Sequence, residues 1–377
     1  MLRCAWHSGQ VPVPADGRRH DNAGRSQDMV SVIGGGIAGS CLAGGLARQG
    51  HRVALYEQQR PGPGAGAFLF IDGRGHDAME AMGVDRSALH EVSYPLAGLD
   101  YEDSRGRRSE MPSRGHRFWL RRNLMGVLSE FVAGSGADLR YGEPITAVTV
   151  GDDDHAIRRG SDVVTTEELL IGADGIDSVV RAALEPARTP VYAGDVVLYG
   201  MTGTPLDPPP PTTPAVLHFF AEVAEDGSAG STFGHIWRPE DPAALWFVRI
   251  PRDPLPGTRD DIGMRPVDEW AETVLAATPS SRALVSAFLS RTELVHVSNA
   301  RNVPLEGARA PQDSVILIGD ADHAITPAAG VGARDALEDA RAVFDAIVGA
   351  ASPAEAMTQR RKQIVTDRET AQRARRR

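Results

Sequence analysis

Gly34, Gly36 and Gly39 stand at GxGxxG spacing, and an acid, Glu57, follows about 20 residues on. Residues of these types at these intervals can hold a dinucleotide. Gly34 lets the chain turn, Gly36 lets a pyrophosphate reach the backbone, and Gly39 lets a helix pack closely on a sheet. The amides around Ile37 and Ala38 would face the phosphates at the positive end of the helix dipole, and Glu57 would accept hydrogen bonds from a ribose. A second constellation, Gly172-Ala173-Asp174-Gly175, brings an aspartate to the end of an apolar run, with Arg181 in the short helix that follows. A third joins Gly319-Asp320 to Pro327, Gly330, Val331 and Gly332.

Each constellation needs an element to aim it. Val30 to Ile33 reads as a strand, Ser40 to Gln49 as a helix with Leu42 and Leu46 on one face, and Val53 to Glu57 as the next strand. The strand ending at Gly172 holds Asp174 at the mouth of a parallel sheet, where ligands bind, although the pattern alone also fits an Asx-turn and helix cap. Beyond Gly330 a helix beginning near Gly332 points unpaired amides outward and stabilises negative charge by roughly 0.3 to 2 kcal/mol. His323 is the one histidine weighed as an acid or base, and it reads better as a structural group of its loop. Phe118 to Val132 reads as one helix with Leu124, Val127, Leu128 and Phe131 as its core stripe; Arg121 or Arg122 stands near its start, where a solvated charge is the plainer reading.

The remaining chain supplies a second region. Leu99 to Glu110 reads as a hairpin. Four prolines at 208–211 mark a stiff exposed linker. After it, Ala215 to Phe220, His235 to Trp237 and Ala244 to Ile250 read as aromatic-rich antiparallel strands. Phe220, His235, Trp237, Trp246 and Phe247 are the candidates to line a substrate pocket, although aromatics on strands more often form sheet core. The stretch from Pro61 to Phe70, a flexible glycine-rich loop entering a strand, could lie against a ligand or be a plain turn. The helix from Ala350 to the end reads as a solvated, arginine-rich surface.

Composition narrows the function. The 377 residues suffice for two domains or more. A net charge of −10 argues against a nucleic-acid partner. Two cysteines make no disulfide framework, and Cys41 reads as a buried thiol, which fits a reducing cytoplasm. Lys362 is the only lysine, so neither a GxxxxGK[ST] phosphate loop nor a Schiff-base lysine in a core pocket is available. No apolar run is long enough to span a membrane, and no metal cluster or Ser-His-Asp triad is legible.

Taken together, in this order and at these separations, the three constellations resemble the single-component FAD-dependent aromatic hydroxylases, the group A flavoprotein monooxygenases related to para-hydroxybenzoate hydroxylase. The resemblance spans about Met29 to Val348. It implies an α/β fold: a Rossmann-like FAD-binding domain, an interleaved mixed-sheet substrate domain and a C-terminal helix. It divides the chain into a disordered extension (1–28), a discontinuous FAD-binding domain (29–92, 115–187 and 293–348), a substrate domain (93–114 and 188–292) and a C-terminal helix with a basic tail (349–377). Gly34, Gly36, Ile37, Ala38 and Gly39 would hold the FAD pyrophosphate, Glu57 the ribose, and Arg121 the phosphate region. Asp174 would serve both FAD and NAD(P)H. Asp320 would bind the ribityl chain, and Pro327, Gly330, Val331 and Gly332 would lie beside the isoalloxazine. Gln58, Asp322 and Arg334 depart from the family's usual arginine, small residue and asparagine.

The implied reaction uses transiently bound NAD(P)H to reduce bound FAD. A flavin hydroperoxide formed with O2 then delivers one oxygen atom to an aromatic or polyketide-like small molecule, by hydroxylation or epoxidation. The cofactor carries the chemistry and the protein positions it, as a monomer or dimer. Two alternatives share the first constellation: another FAD-dependent oxidoreductase, reductase or halogenase-like, and a non-catalytic flavin- or ligand-binding protein. A halogenase would need a lysine and a Trp-x-Trp-x-Ile-Pro motif, and His235-Ile236-Trp237-Arg238-Pro239 lacks the first tryptophan and the isoleucine.

Overall fold

The computed structural model describes residues 29–60, 68–151, 155–166, 169–257 and 260–375. The expected disordered extension, the glycine loop from Pro61 to Ala67 and the acidic turn at Asp152 to Asp154 lie outside the described residues.

Five parallel strands build the first sheet, in the order Val315–Leu317, Leu170–Gly172, Met29–Ile33, Arg52–Glu57, Asp138–Tyr141. Their side chains alternate between two cores, as the two-residue repeat of a strand requires. Val30, Val32, Val53, Leu55, Ile171 and Ile316 face helices Ile37–Arg48, Arg121–Ala133 and Gly332–Val348, which contribute Leu42, Leu46, Leu124, Leu128, Leu337 and Val343. Ile33, Ala54, Tyr56, Leu170, Val315 and Leu317 face the opposite way. They meet Val148 and Ile157 of an antiparallel sheet (Ile145–Val150, His155–Arg159, Asp162–Thr166) and Val180 of helix Val179–Leu184. Burial on both faces explains the nearly uninterrupted apolar runs of these strands.

An eight-stranded sheet forms the second body of the fold. Its order is Asp261–Pro266, Leu294–Asn302, Val191–Met201, Leu245–Pro251, Ala229–Ile236, Val216–Val223, Gly98–Asp103, Arg108–Pro112. Only the Val216–Val223 and Gly98–Asp103 pair runs parallel, so the sheet is mixed. Strand Leu294–Asn302 lies beyond residue 292, where the sequence reading ends the substrate region; its pairing with Val191–Met201 puts it in this sheet. Helices Ala271–Ala277 and Arg282–Leu289 cover one face through Val274, Val285 and Phe288. A small sheet, Phe68–Ile71, Arg117–Leu120 and Ser93–Pro95, packs on the other through Phe118, Phe68 and Phe70.

Two expectations are corrected. Phe118 to Leu120 is strand rather than helix: it pairs with Phe68–Ile71 and Ser93–Pro95, and the helix starts only at Arg121. The apolar run directly abuts a true helical stripe, so the two merge when read locally. The C-terminal helix Pro353–Arg375 is not merely a solvated surface, because Arg360, Arg361 and Arg368 reach carboxylates that are buried.

On the helix-covered face of the large sheet, His235 is fully buried, 4.9 Å from the Phe288 ring centroid, and neither ring nitrogen meets a protein partner. Burial, aided by His218, pushes its imidazole down to about 3. The folded chain therefore refuses a proton that the unfolded chain accepts near the ordinary histidine value. Stability is full above that ordinary value and drains as pH falls towards the folded one. From about pH 7 to about pH 5 the loss from this residue is roughly 2 kcal/mol. His235→Phe is expected to remove that part of the acid sensitivity in urea denaturation, and an unchanged pH dependence would contradict it.

Candidate active site

Three loops leave three adjacent parallel strands at one level. Ile33 is in register with Gly172, and Gly172 with Leu317. The ladder continues past the strands: Ala173 N–H donates to the Ile33 carbonyl at 2.7 Å, Ile318 N–H to the Gly172 carbonyl at 3.0 Å, and Gly34 N–H to the Tyr56 carbonyl at 2.8 Å. From its central strand, Met29–Ile33, the sheet grows to one side through Arg52–Glu57 and Asp138–Tyr141, then restarts on the other side with Leu170–Gly172 and Val315–Leu317. Ligands of open parallel sheets bind where the strand order reverses, beyond the carboxyl ends. Gly34 and Asp174 stand at that crevice.

The glycines divide their work. Gly34 has φ +104°, and a Cβ there would lie 2.3 Å from the Ala173 carbonyl oxygen; a Cβ on Gly39 would lie 1.9 Å from the Gly34 carbonyl oxygen. Both positions are required by the protein's own packing. Gly36 differs: at φ −71° its Cβ would meet nothing within 4 Å. It caps helix Ile37–Arg48 without a side chain, so the amides of Ile37 and Ala38 begin the helix facing that space.

Glu57 closes onto its own loop, accepting from Gly35 N–H and Gln59 N–H, each at 2.7 Å. Each carboxylate oxygen keeps a second lone pair for a hydroxyl. Asp174 is a helix cap through Oδ2, which accepts from Val179 N–H at 2.7 Å and Val180 N–H at 3.4 Å. Its Oδ1 is buried with no partner, and burial pushes the carboxyl above its usual range. Buried acceptors are nearly always satisfied, so this oxygen marks a place for a ligand's donor. Arg181, itself buried, donates to the Ala321 carbonyl at 2.8 Å and so ties the second loop to the third.

In the third loop, Gly319 turns the chain at φ +59° into the short helix Asp320–His323. The Asp320 side chain is open to solvent, yet surrounding protein desolvates it enough to push its carboxyl up against the pull of His323, Arg121 and Arg368. It therefore lies in a recess. The loop returns through the 3-10 turn Pro327–Ala329 and left-handed Gly330, φ +68°, to Val331, which caps helix Gly332–Val348 with no side-chain bond. A Cβ on Gly332 would stand 3.9 Å from Asp320 Oδ1, so the amino end of this helix adjoins that carboxylate. His323 is a brace of the loop. Its Nε2 is 2.5 Å from Asp339 Oδ2, which also accepts from Gly319 N–H at 3.0 Å. Burial opposes a charge on the imidazole, but Asp339 outweighs it and holds His323 above the ordinary value.

The charge of Arg121, first residue of its helix, lowers both the Asp320 carboxyl and the Tyr199 hydroxyl against the upward push of burial. Around Tyr199 lies a half-buried aromatic surface. The Phe68 ring centroid is 6.4 Å from Tyr199, 6.1 Å from Phe247 and 6.0 Å from Phe118, and Phe219 is 5.9 Å from Phe247. Burial, with the Asp261 charge, pushes the Tyr199 hydroxyl up to about 12, so it stays a donor at neutral pH.

Four of the five aromatic and histidine candidates of the sequence lie elsewhere. Trp246 is fully buried and donates to Thr292 Oγ1 at 3.0 Å, and His235 and Phe220 share the face covered by helices. Trp237 packs at the edge of that core and donates to Thr212 Oγ1 at 3.0 Å. Alternation along a strand tells which residues share a face, but not which face meets the other sheet. The fifth candidate, Phe247, and Phe219, one step from Phe220, lie on the opposite face with Phe68. Tyr199 has no local signal and Phe219 only its alternation with Phe220, whereas Phe247 is a candidate from its strand and Phe68 falls in the glycine-rich stretch that enters a strand.

A dinucleotide such as FAD fits this crevice. Gly36 leaves room against the backbone, helix amides face it, and Asp174 offers an unsatisfied buried oxygen. Among the described residues, no cluster of three or more histidines, cysteines or carboxylates could hold a metal ion, and no helix is long and apolar enough to cross a membrane.

A family model described as "FAD binding domain" matches residues 27–371. Kynurenine 3-monooxygenase of Salinispora arenicola is 28% identical over 345 residues, covering 84% of this chain and 71% of that protein. The 2-heptyl-3-hydroxy-4(1H)-quinolone synthase of Pseudomonas aeruginosa is 30% identical over 332 residues, covering 82% of this chain and 78% of that protein. Among solved structures, CtdE in complex with FAD and a substrate superposes with a TM-score of 0.72 at 17% identity, covering 89% of this chain and 85% of that one.

Proposed function

The chain belongs to the FAD binding domain family and is an FAD-dependent monooxygenase; we propose that it places an oxygen atom from O2 on a planar aromatic small molecule held between the three-loop crevice and the aromatic face of the large sheet. The observation that carries this reading is the register of the three strand ends, which brings the loops of Gly36, Asp174 and Asp320 to one edge of the sheet. Relatives named for kynurenine and for a quinolone add support for an aromatic substrate.

Bound FAD supplies the redox chemistry, taking two electrons from NAD(P)H and activating O2. The chain's own residues do the rest. Amides of Ile37 and Ala38 hold the pyrophosphate beside Gly36, and Glu57 and Asp174 accept hydrogen bonds from the dinucleotide. Asp320 holds the ribityl hydroxyls. The loop Pro327 to Gly332 lies beside the ring, where the helix end favours negative charge. Phe68, Phe219 and Phe247 exclude water from the substrate face, and the Tyr199 hydroxyl donates a hydrogen bond towards it.

The test is NAD(P)H consumption by the yellow protein against a panel of phenolic and polycyclic compounds. Stimulated consumption with a product heavier by one oxygen atom is expected. A yellow protein that no compound stimulates would favour a non-catalytic flavin binder.

A further inference from the structure

We propose that the C-terminal helix Pro353–Arg375 is a clamp on the loop that carries Asp320, and that Arg361 is its main positioning residue. The proposal rests on the reading that Asp320 holds FAD.

Two fully buried carboxylates, Asp322 within the short helix Asp320–His323 and Asp339 bonded to its ends, are both gripped from the C-terminal helix. Arg361 forms a two-pronged pair with Asp322, Nε to Oδ2 at 2.8 Å and Nη2 to Oδ1 at 2.6 Å. Arg360 Nε donates to Asp339 Oδ1 at 3.1 Å, and Asp339 in turn holds Gly319 N–H and His323. Arg368 donates to the His323 carbonyl at 2.8 Å. Gly319, Asp322 and His323, three residues of the turn around Asp320, are thus tied, through one intermediary or none, to a guanidinium from this helix.

Burying a carboxylate without a partner is costly, and paired guanidinium groups make it tolerable at the expense of fixing geometry. Asp322 has a second partner, Arg188 Nη2 at 2.9 Å. Glu185 shares that guanidinium, so removing Arg361 leaves two buried carboxylates on Arg188 and costs stability, whereas a lysine at 361 keeps the charge and loses only the fork. The fork of Arg361 sets direction as well as charge, and lysine cannot reproduce it. Arg361 touches no substrate or cofactor; it acts through Asp322 and the turn.

The experiment compares the full-length chain with Arg361→Gln, Arg361→Lys and, as a control at an exposed pair with Glu369, Arg373→Gln. FAD-free protein is titrated with FAD by flavin fluorescence, visible circular dichroism reports the environment of the bound ring, and thermal melting without FAD reports the fold. Arg361→Gln is expected to weaken FAD binding roughly tenfold, the scale seen when a residue orienting a ligating group is lost. The dichroism of the ring should change in both Arg361 variants, with FAD-free melting lowered in Arg361→Gln and held in Arg361→Lys. Arg361→Lys should recover part of the affinity, and Arg373→Gln should match the unchanged protein. Unaltered FAD affinity in Arg361→Gln overturns the clamp. So does an Arg361→Lys protein that melts normally and keeps full FAD affinity, since the loss in Arg361→Gln would then follow stability alone. If the unchanged protein takes up no FAD, the reading of the Asp320 site fails first, and the clamp with it.

Discussion

Gly36→Val is expected to weaken FAD binding by at least about a hundredfold, close to 2.7 kcal/mol, while leaving the FAD-free fold intact. Gly36 has a backbone conformation open to any residue, and a Cβ there would touch nothing of the protein within 4 Å. Only a ligand lying against the backbone makes a side chain harmful at this position. Gly39→Val provides the contrast. Its Cβ would overlap the Gly34 carbonyl oxygen, so it should cost folding stability whether or not FAD is present. FAD titration and thermal melting of the FAD-free proteins separate the two. A Gly36→Val protein that binds FAD normally would remove the pyrophosphate from this loop.

Trp246→Ala and Phe247→Ala are expected to fail in different ways although the residues are neighbours. Trp246 is fully buried beside Phe233 and under Gly200, and its indole N–H is bonded to Thr292. Truncation should cost about 3–5 kcal/mol of stability, measured by urea denaturation, with the substrate preference of surviving protein unchanged. Phe247 is half-buried on the opposite face, its ring lying over Gly234 and 6.1 Å from Phe68. Its truncation should cost much less stability and instead divert reducing equivalents from product, read as NAD(P)H consumed per oxygenated product. The opposite pattern would return the substrate to the helix-covered face.

That contrast shows what could be read from the sequence. The first sheet was legible because each feature obeys a local rule: continuous apolar strands, glycines at fixed offsets, an acid at the next strand's tip, a helix beginning after a Gly-Val-Gly turn. The large sheet was legible as strands but not as a surface. Period two separates Phe219 from Phe220 and Phe247 from Trp246, yet which set meets the small sheet depends on where Phe68–Ile71 and Arg117–Leu120 pack, far away in sequence. The same distance hid strand Phe118 to Leu120 behind the helix that follows it. It also hid the buried acids. Asp322 and Asp339 look like ordinary surface charges until Arg361 and Arg360 arrive from a helix that reads as solvated. Pairings of that kind leave no periodic trace.

The most direct test of the three-loop site is a crystal structure of the protein saturated with FAD. The pyrophosphate should lie against the backbone at Gly36 within hydrogen-bond reach of the Ile37 and Ala38 amides, with the ribityl chain at Asp320 and the ring beside Pro327 to Gly332. FAD bound away from the strand ends, or with its pyrophosphate out of reach of Gly36, would contradict the site.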